Sequence, residues 1–124
     1  MATVKLTSQN FNEIVEKNKI VFIDFWAEWC GPCKQYGPIF EEVSNEFEDV
    51  VFGKVNTEEE QEIAAYFQIR SIPTTAAIKE GIVVFMQPGL LPKEALQDVV
   101  KQVIELDMDK VREEIAKEEA KNQQ

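Results

Sequence analysis

Residues 20–33 read IVFIDFWAEWCGPC, an apolar run followed by the only two cysteines of the chain, Cys30 and Cys33. The run is apolar at consecutive positions, which predicts a strand that is buried on both faces. The cysteines directly after it predict a dithiol at the start of a helix. Amide N–H groups and the helix dipole at such a position stabilise a thiolate and lower the pKa of a thiol, so we expect this dithiol to be reactive.

Two structural interpretations of the cysteine pair are less favoured. A structural zinc site needs four ligands, whereas the chain has no histidine and no third cysteine, so carboxylates or a second chain would have to complete it. A purely structural disulfide between Cys30 and Cys33 closes too short a loop to constrain much of the unfolded chain. Redox chemistry is therefore the favoured interpretation, and no metal site is expected.

The composition is typical of one globular domain. The chain has 124 residues, of which 44% are hydrophobic and 29% charged, and a net charge of −10. This acidity argues against nucleic acid and against anionic membrane surfaces as partners. No apolar run approaches the roughly 20 residues of a membrane span, and residues 1–10 do not resemble a secretory leader. We therefore expect a cytoplasmic protein, whose surface dithiol is kept mostly reduced.

The rest of the chain predicts alternating strands and helices. Strands are expected at residues 3–6, 20–26 and 50–55. Each is followed by a predicted helix: the first capped by Thr7 or Ser8, the second running from Cys33 to Phe47 with Pro38 inside it, the third opened by a capping box at residues 57–60. Residues 74–78 and 82–87 predict an antiparallel hairpin, and a last helix is expected to begin near Pro92. This order implies a largely parallel sheet with helices on both faces.

The C-terminal helix has no clear end. Apolar residues keep helical spacing well past residue 104, while Asp107 or Asp109 is able to cap a separate helix. We expect a domain over residues 1–106 and a charged helical extension over residues 107–124. Its apolar stripe leaves a partner-binding role open, but packing on its own domain or projection into solvent is favoured. The stripe consists of Met108, Val111 and Ile115.

The sequence closely resembles the thioredoxin family over about residues 3–106. The resemblance is carried by residues 24–34 (DFWAEWCGPCK), Pro38, residues 70–74 (RSIPT) and Gly89 after the hairpin. It implies an α/β thioredoxin fold, with a central mixed sheet flanked by helices on both faces, plus an extra C-terminal helix. The chain departs from the family pattern in three places. These are Ser71, where many thioredoxins have glycine, the less bulky Thr75-Ala76-Ala77, and the tail.

Roles for the dithiol and its neighbours follow from this resemblance. Cys30 lies before the helix proper, so we expect it to be the more exposed thiol and the nucleophile. Cys33 would then attack the mixed disulfide, while Gly31 and Pro32 keep the two sulfurs in register. Asp24 interrupts an apolar strand, which predicts a buried carboxyl group with a raised pKa; a solvated strand face is the alternative. By resemblance, Asp24 relays a proton to or from Cys33, with Lys54 as its electrostatic partner.

A second group of residues is expected to receive the target protein. The resemblance implies that the peptide bond before Pro73 is cis, although residue types alone equally allow a trans proline that opens an edge strand. The backbone of Ile72 would then pair with an extended target segment by strand addition. Trp29, Ile72 and Gly89 would form the rim of this surface.

The expected activity is protein dithiol–disulfide exchange that reduces target disulfides. No cofactor is expected beyond the redox-active Cys30–Cys33 pair. The family implies thioredoxin reductase, an NADPH-dependent flavoprotein, as electron donor, and we expect a monomer. Two alternatives stay open: an oxidase or isomerase, because the direction depends on which redox state the protein stabilises, and an interaction module that uses its tail.

Overall fold

The structure, a computed structural model, describes residues 2–123. Strands and helices alternate along most of the chain, as the hydrophobic pattern predicts. In chain order they are β1 (Thr3–Lys5), α1 (Phe11–Lys17), β2 (Ile20–Trp26), α2 (Gly31–Ser44), β3 (Val51–Asn56), α3 (Gln61–Tyr66), β4 (Thr74–Lys79), β5 (Ile82–Pro88), α4 (Lys93–Glu105) and α5 (Met108–Asn122). None of the helices within residues 2–123 is long and apolar enough to cross a membrane.

The five strands form one mixed sheet in the order β1-β3-β2-β4-β5. The neighbours β1, β3 and β2 run parallel, whereas β4 is antiparallel to β2 and β5 is antiparallel to β4. Helices α2 and α4 cover one face of the sheet, and α1 and α3 cover the other. The mixed sheet with helices on both faces and an extra C-terminal helix confirms the predicted fold class.

Strand β2 lies at the centre of the sheet and is buried along nearly all its length. Its side chains alternate between the two faces, so Ile20 and Phe22 join the core under α2 and α4, while Val21, Ile23 and Phe25 join the core under α1 and α3. By the same alternation Asp24 points toward α2. The strand therefore delivers one carboxyl group into an apolar layer beside the helix that carries the cysteines.

The start of α1 differs from the prediction. The carbonyl of Thr7 accepts hydrogen bonds from the N–H groups of Asn10 (3.2 Å) and Phe11 (3.0 Å), and the Thr7 hydroxyl accepts from the N–H of Gln9 at 3.2 Å. These bonds form a turn before the helix, which begins only at Phe11. The prediction that Thr7 or Ser8 caps the helix is therefore wrong, because the hydroxyl of Thr7 is used in that turn.

The predicted capping box at residues 57–60 is also absent. The side-chain oxygen of Asn56 accepts the N–H groups of Glu58 and Glu59 at 2.9 and 3.3 Å. The carboxylate of Glu60 instead accepts the N–H of Ser8 at 2.9 Å. Residues 57–59 thus form a turn, and α3 begins at Gln61.

Helix α2 is shifted relative to the prediction. It begins at Gly31 rather than Cys33 and ends at Ser44, with Asn45 as its C-cap. Phe47 packs against the core from the following loop. Pro38 lies inside the helix as expected.

The tail forms a separate helix, α5, capped by Asp107, whose carboxylate accepts the N–H groups of Asp109 and Lys110 at 3.0 and 3.3 Å. Arg112 pairs with Glu80 of the hairpin turn at 2.9 Å. The N–H of Glu80 in turn bonds the carbonyl of Lys19, just before β2 begins. Helix α5 therefore docks at the end of the sheet where β2 starts, whereas the dithiol follows the end where β2 finishes.

Candidate active site

The two cysteines lie at the first turn of α2 and are joined by a disulfide bond, with their Cα atoms 5.2 Å apart. Cys30 is the N-cap residue, and its sulfur accepts a hydrogen bond from the N–H of Cys33 at 3.2 Å. Pro32 occupies the first turn, where a missing N–H costs nothing. The helix therefore directs a backbone donor at the Cys30 sulfur, which is the arrangement that favours negative charge on it.

The two cysteines are equally buried, each with 4% of its surface exposed. The expectation that Cys30 is the more exposed thiol is therefore wrong. Cover comes from the loop before β4, because the carbonyl oxygen of Ile72 lies 3.6 Å from the Cys30 sulfur. The two residues differ in what surrounds them rather than in how much of each residue is exposed.

Asp24 is fully buried, as predicted, and neither of its carboxyl oxygens has a hydrogen-bond partner within the described residues. Burial raises its pKa to about 6, while attraction to the Lys54 ammonium opposes this rise. The Nζ atom of Lys54 lies 3.7 Å from the nearer oxygen and 5.1 Å from the centre of the Trp26 ring. The alternative of a solvated strand face is excluded.

An open cleft of about 400 Å³ connects solvent to the Cys33 side of the dithiol. Its walls include Cys33, Lys54, Trp26 and Gly37. A Cβ atom at Gly37 would lie only 3.4 Å from the Lys54 Nζ atom. The cleft brings water to the Lys54 ammonium, which adjoins the buried carboxyl group.

The loop before β4 brings further predicted residues to the dithiol. The Ile72–Pro73 peptide bond is cis, as the resemblance implied. The carbonyl of Pro73 accepts the N–H of Gly89 at 2.8 Å, and Gly89 adopts a φ of +95°, which favours glycine. Within residues 2–123, neither the N–H nor the carbonyl of Ile72 makes a backbone hydrogen bond. This backbone is therefore free to pair with another chain.

Trp29 projects beside this loop with 70% of its surface exposed. A groove of about 460 Å³ is lined by Trp29, by residues of α3 and by the loop before β4, including Arg70 and Ile72. The indole N–H of Trp29 donates to the carboxylate of Glu58, which holds the ring at the surface. The only sequence signal at Glu58 is its place in the presumed capping box, which does not point to a contact with Trp29.

A pair of buried hydroxyl groups near the site was also not predicted from the sequence. The hydroxyl groups of Tyr36 and Thr75 lie 2.6 Å apart in the core near Asp24. The less bulky segment at residues 75–77 was the available signal for this pair. Among residues 2–123, no group of three or more His, Cys, Asp or Glu side chains is arranged to hold a metal ion.

Comparison with known proteins agrees with this geometry. A family model described as thioredoxin matches residues 2–102, which include every residue of the site. The chain belongs to the thioredoxin family. It is 52% identical over 119 residues to a putative thioredoxin 2 of Streptomyces coelicolor, covering 96% of this chain and 89% of that protein. It is 43% identical to thioredoxin of Bacillus subtilis, covering 82% of this chain and 98% of the relative.

Solved structures of the same family share the fold. A mutant thioredoxin from Halobacterium salinarum superposes with a TM-score of 0.78 at 28% identity, covering 85% of this chain and 92% of that one. Malassezia sympodialis thioredoxin gives a TM-score of 0.74 at 35% identity, covering 81% of this chain and 89% of that one. The family and the cysteine pair together make this chain a protein dithiol–disulfide oxidoreductase, which acts on protein disulfides.

Proposed function

We propose that Cys30 is the nucleophile of this thioredoxin-family protein and that Cys33 resolves the mixed disulfide. The observation that carries this assignment is the hydrogen bond from the Cys33 N–H to the Cys30 sulfur at the helix N-cap. A donor in this place stabilises a thiolate on Cys30. The Cys33 sulfur is the one that faces the cleft shared with Lys54.

The proposed exchange has two steps. The Cys30 thiolate attacks one sulfur of the target disulfide, and the other target sulfur leaves as a thiolate and takes up a proton. The Cys33 thiolate then attacks the Cys30 sulfur and releases the second target thiol. Two electrons have moved to the target, whose disulfide becomes two thiols, and Cys30 and Cys33 are left joined by a disulfide.

Single serine variants test these roles. We expect Cys30→Ser to abolish reduction of insulin disulfides, because no mixed disulfide forms. We expect Cys33→Ser to form a mixed disulfide with the target that persists, since nothing displaces it. Non-reducing gels resolved by mass spectrometry distinguish the two variants. Trapping by Cys30→Ser rather than by Cys33→Ser would reverse the assignment.

Asp24 is proposed as the group that exchanges a proton with Cys33, with Lys54 as its electrostatic partner. Supporting this role are its burial, its pKa of about 6 and the open cleft that reaches Cys33 and Lys54. A carboxyl group that titrates near neutrality is able both to accept and to return a proton at working pH. We expect Asp24→Asn to slow turnover at pH 7 by about tenfold or more. A turnover rate and pH profile identical to those of the parent would remove Asp24 from the mechanism.

The target protein is proposed to bind as an extended segment over the loop before β4. The unpaired Ile72 backbone and the groove beside Trp29 support this mode of binding. Pro73 and Gly89 hold the loop, while Gly31 and Pro32 keep the two sulfurs in register. In this arrangement Trp29 and Ile72 contact the target directly.

Electrons are proposed to come from thioredoxin reductase, the NADPH-dependent flavoprotein that serves this family, in the cytoplasm. All groups of the proposed mechanism belong to one chain, so the protein is proposed to act as a monomer. We further propose that residues 1–106 form the catalytic domain and residues 107–124 an extension. A coupled assay with reductase and NADPH tests the donor. Equilibration with reduced and oxidised glutathione tests the direction, because a dithiol that stays reduced in the presence of glutathione disulfide would indicate an oxidase or isomerase.

A further inference from the structure

The core next to the active site contains a buried pair of hydroxyl groups. Tyr36 of α2 and Thr75 of β4 are both fully buried, and their oxygen atoms lie 2.6 Å apart. Apart from this pair, the core under α2 and α4 is built largely from apolar side chains. Buried hydroxyl groups are tolerated when they bond each other, so the pair needs no further partner.

Thr75 of this pair faces Asp24 across the sheet, and Tyr36 lies on the helix that carries Cys33. Thr75 lies directly opposite Asp24 in the antiparallel ladder of β2 and β4, so their side chains share one face of the sheet. Tyr36 follows Cys33 by three residues on α2, which places both on the same side of that helix. Burial raises the pKa of Tyr36, the hydrogen bond to Thr75 opposes the rise, and the charge of Asp24 adds to it.

Among residues 2–123, Asp24 has no hydrogen-bond partner although a hydroxyl group lies opposite it in the ladder. Directly opposite residues in such a ladder have Cβ atoms about 4.5–5.5 Å apart. Rotation about the Cα–Cβ bond of Thr75 is enough to bring a threonine hydroxyl to a carboxylate at that separation. In the structure this hydroxyl is engaged with Tyr36 instead.

We propose that Tyr36 is a positioning residue that holds the Thr75 hydroxyl away from Asp24 and so keeps that carboxyl group without a donor. A hydrogen-bond donor favours the ionised form of a carboxyl group. Withholding the donor therefore keeps Asp24 easy to protonate near neutrality. The consequence for turnover rests on the proton-exchange role proposed above, whereas the effect on Asp24 itself does not.

The other groups around Asp24 should not hide the effect of the Thr75 hydroxyl on the pKa of Asp24. Strand β3 contributes Lys54, which lies opposite Asp24 in the parallel ladder. Helix α2 contributes Cys33 and Tyr36. Helix α4 buries only apolar side chains against this core, Leu96, Val100 and Val103. Lys54 is therefore the one permanent charge whose pairing with Asp24 must stay intact in the variants.

The experiment is a mutant cycle read out on Asp24 in the oxidised protein. The pKa of Asp24 is measured from the pH dependence of its ¹³C carboxyl signal in the parent, Tyr36→Phe, Thr75→Val and the double variant. We expect Tyr36→Phe to lower the pKa below its value of about 6, because the released Thr75 hydroxyl turns to the carboxylate. The double variant should leave it unchanged or higher, because neither hydroxyl remains to donate, and Thr75→Val measures what the Tyr36 hydroxyl contributes once its partner is gone.

Tyr66→Phe is the matched control, because Tyr66 is exposed on α3 and removing its hydroxyl should not move the Asp24 signal. An unchanged pKa in Tyr36→Phe overturns the proposal, as does an equal fall in the double variant. A general loosening of the core would affect Tyr36→Phe and the double variant alike, so it would also be detected by this comparison.

Measurements of turnover distinguish the positioning role of Tyr36 from the proton-exchange role of Asp24. If Tyr36→Phe lowers the Asp24 pKa, the acid side of the turnover profile should move to lower pH by about half a pH unit or more. A fall in pKa without any movement of the profile supports the role of Tyr36 and contradicts the proton-exchange role of Asp24. An unchanged pKa contradicts the role of Tyr36 and leaves the test by Asp24→Asn unaffected.

Discussion

Asp24 links the proposed chemistry of the site to the stability of the fold. Its pKa in the folded chain is about 6, above the ordinary value of 3.8, because burial disfavours the charged form more than Lys54 stabilises it. A carboxyl group with a raised folded pKa holds its proton more tightly in the folded state than in the unfolded state. Its contribution to stability is therefore complete below pH 3.8 and is lost as the pH rises through about 6.

Replacing Asp24 by Asn should remove this dependence. The variant has no charge to bury, so its stability relative to the parent should rise with pH. We expect the difference in free energy of unfolding, variant minus parent, to be larger at pH 8 than at pH 4 by up to about 3 kcal/mol. Urea unfolding of both proteins at the two pH values measures the difference. Asp98→Asn on the exposed side of α4 is the control and should show no such change. Equal stability differences at both pH values would contradict the raised pKa.

Helices and strands were predictable from the sequence where neighbouring residues determine them. They were not predictable where a residue distant in sequence takes part. Strand β2 follows from a run in which six of seven consecutive residues are apolar, and the cysteine pair marks the start of α2. The capping box failed because Ser8, far away in sequence, takes the Glu60 side chain that the box requires. The Tyr36–Thr75 contact was equally out of reach, since it joins residues 39 positions apart.

The end of β4 meets the C-terminal end of α4 at Lys79, a lysine that is almost completely buried. Its Nζ atom donates to the carbonyls of Val103, Ile104 and Leu106 at 2.7, 2.9 and 2.9 Å. An ammonium has three donors, so these bonds satisfy it completely, and its charge suits the C-terminus of α4. Burial nevertheless lowers the pKa of Lys79, and nearby Lys19 adds to this effect, while Glu80 and Asp107 oppose it.

Lys79→Met should therefore destabilise the corner between α4 and α5. The variant keeps the apolar stem but leaves three carbonyl groups without their donor, for which we expect a loss of about 1–3 kcal/mol. Urea unfolding gives the total, and hydrogen exchange should place the faster-opening amides at the C-terminal turn of α4. Lys101→Met on exposed α4 is the matched control. Equal stability of the two variants would mean that the buried ammonium contributes nothing.

Across the whole molecule, the relatives differ in how far along the chain they match. The thioredoxin family model ends at residue 102, and the Bacillus subtilis relative uses 98% of its length to match 82% of this chain. The Streptomyces coelicolor relative matches 96% of this chain, which necessarily includes most of α5. The tail is thus shared with some relatives only. Since α5 docks at the end of the sheet away from the dithiol, its contribution should be to stability rather than to disulfide exchange.

Two truncations test which residues of the tail contribute to the stability of the protein. Removing residues 113–124 deletes only exposed residues of the described helix, so the free energy of unfolding should stay within about 0.5 kcal/mol of the parent's. Removing residues 107–124 also deletes the exposed Arg112–Glu80 ion pair and Met108, and the lost burial of Met108 should cost about 2–3 kcal/mol. Both should reduce insulin at the parental rate under conditions where they remain folded. A folded truncation that loses activity would show that the extension belongs to the active site, whereas equal stability of the two would mean that Met108 and the ion pair do not anchor it.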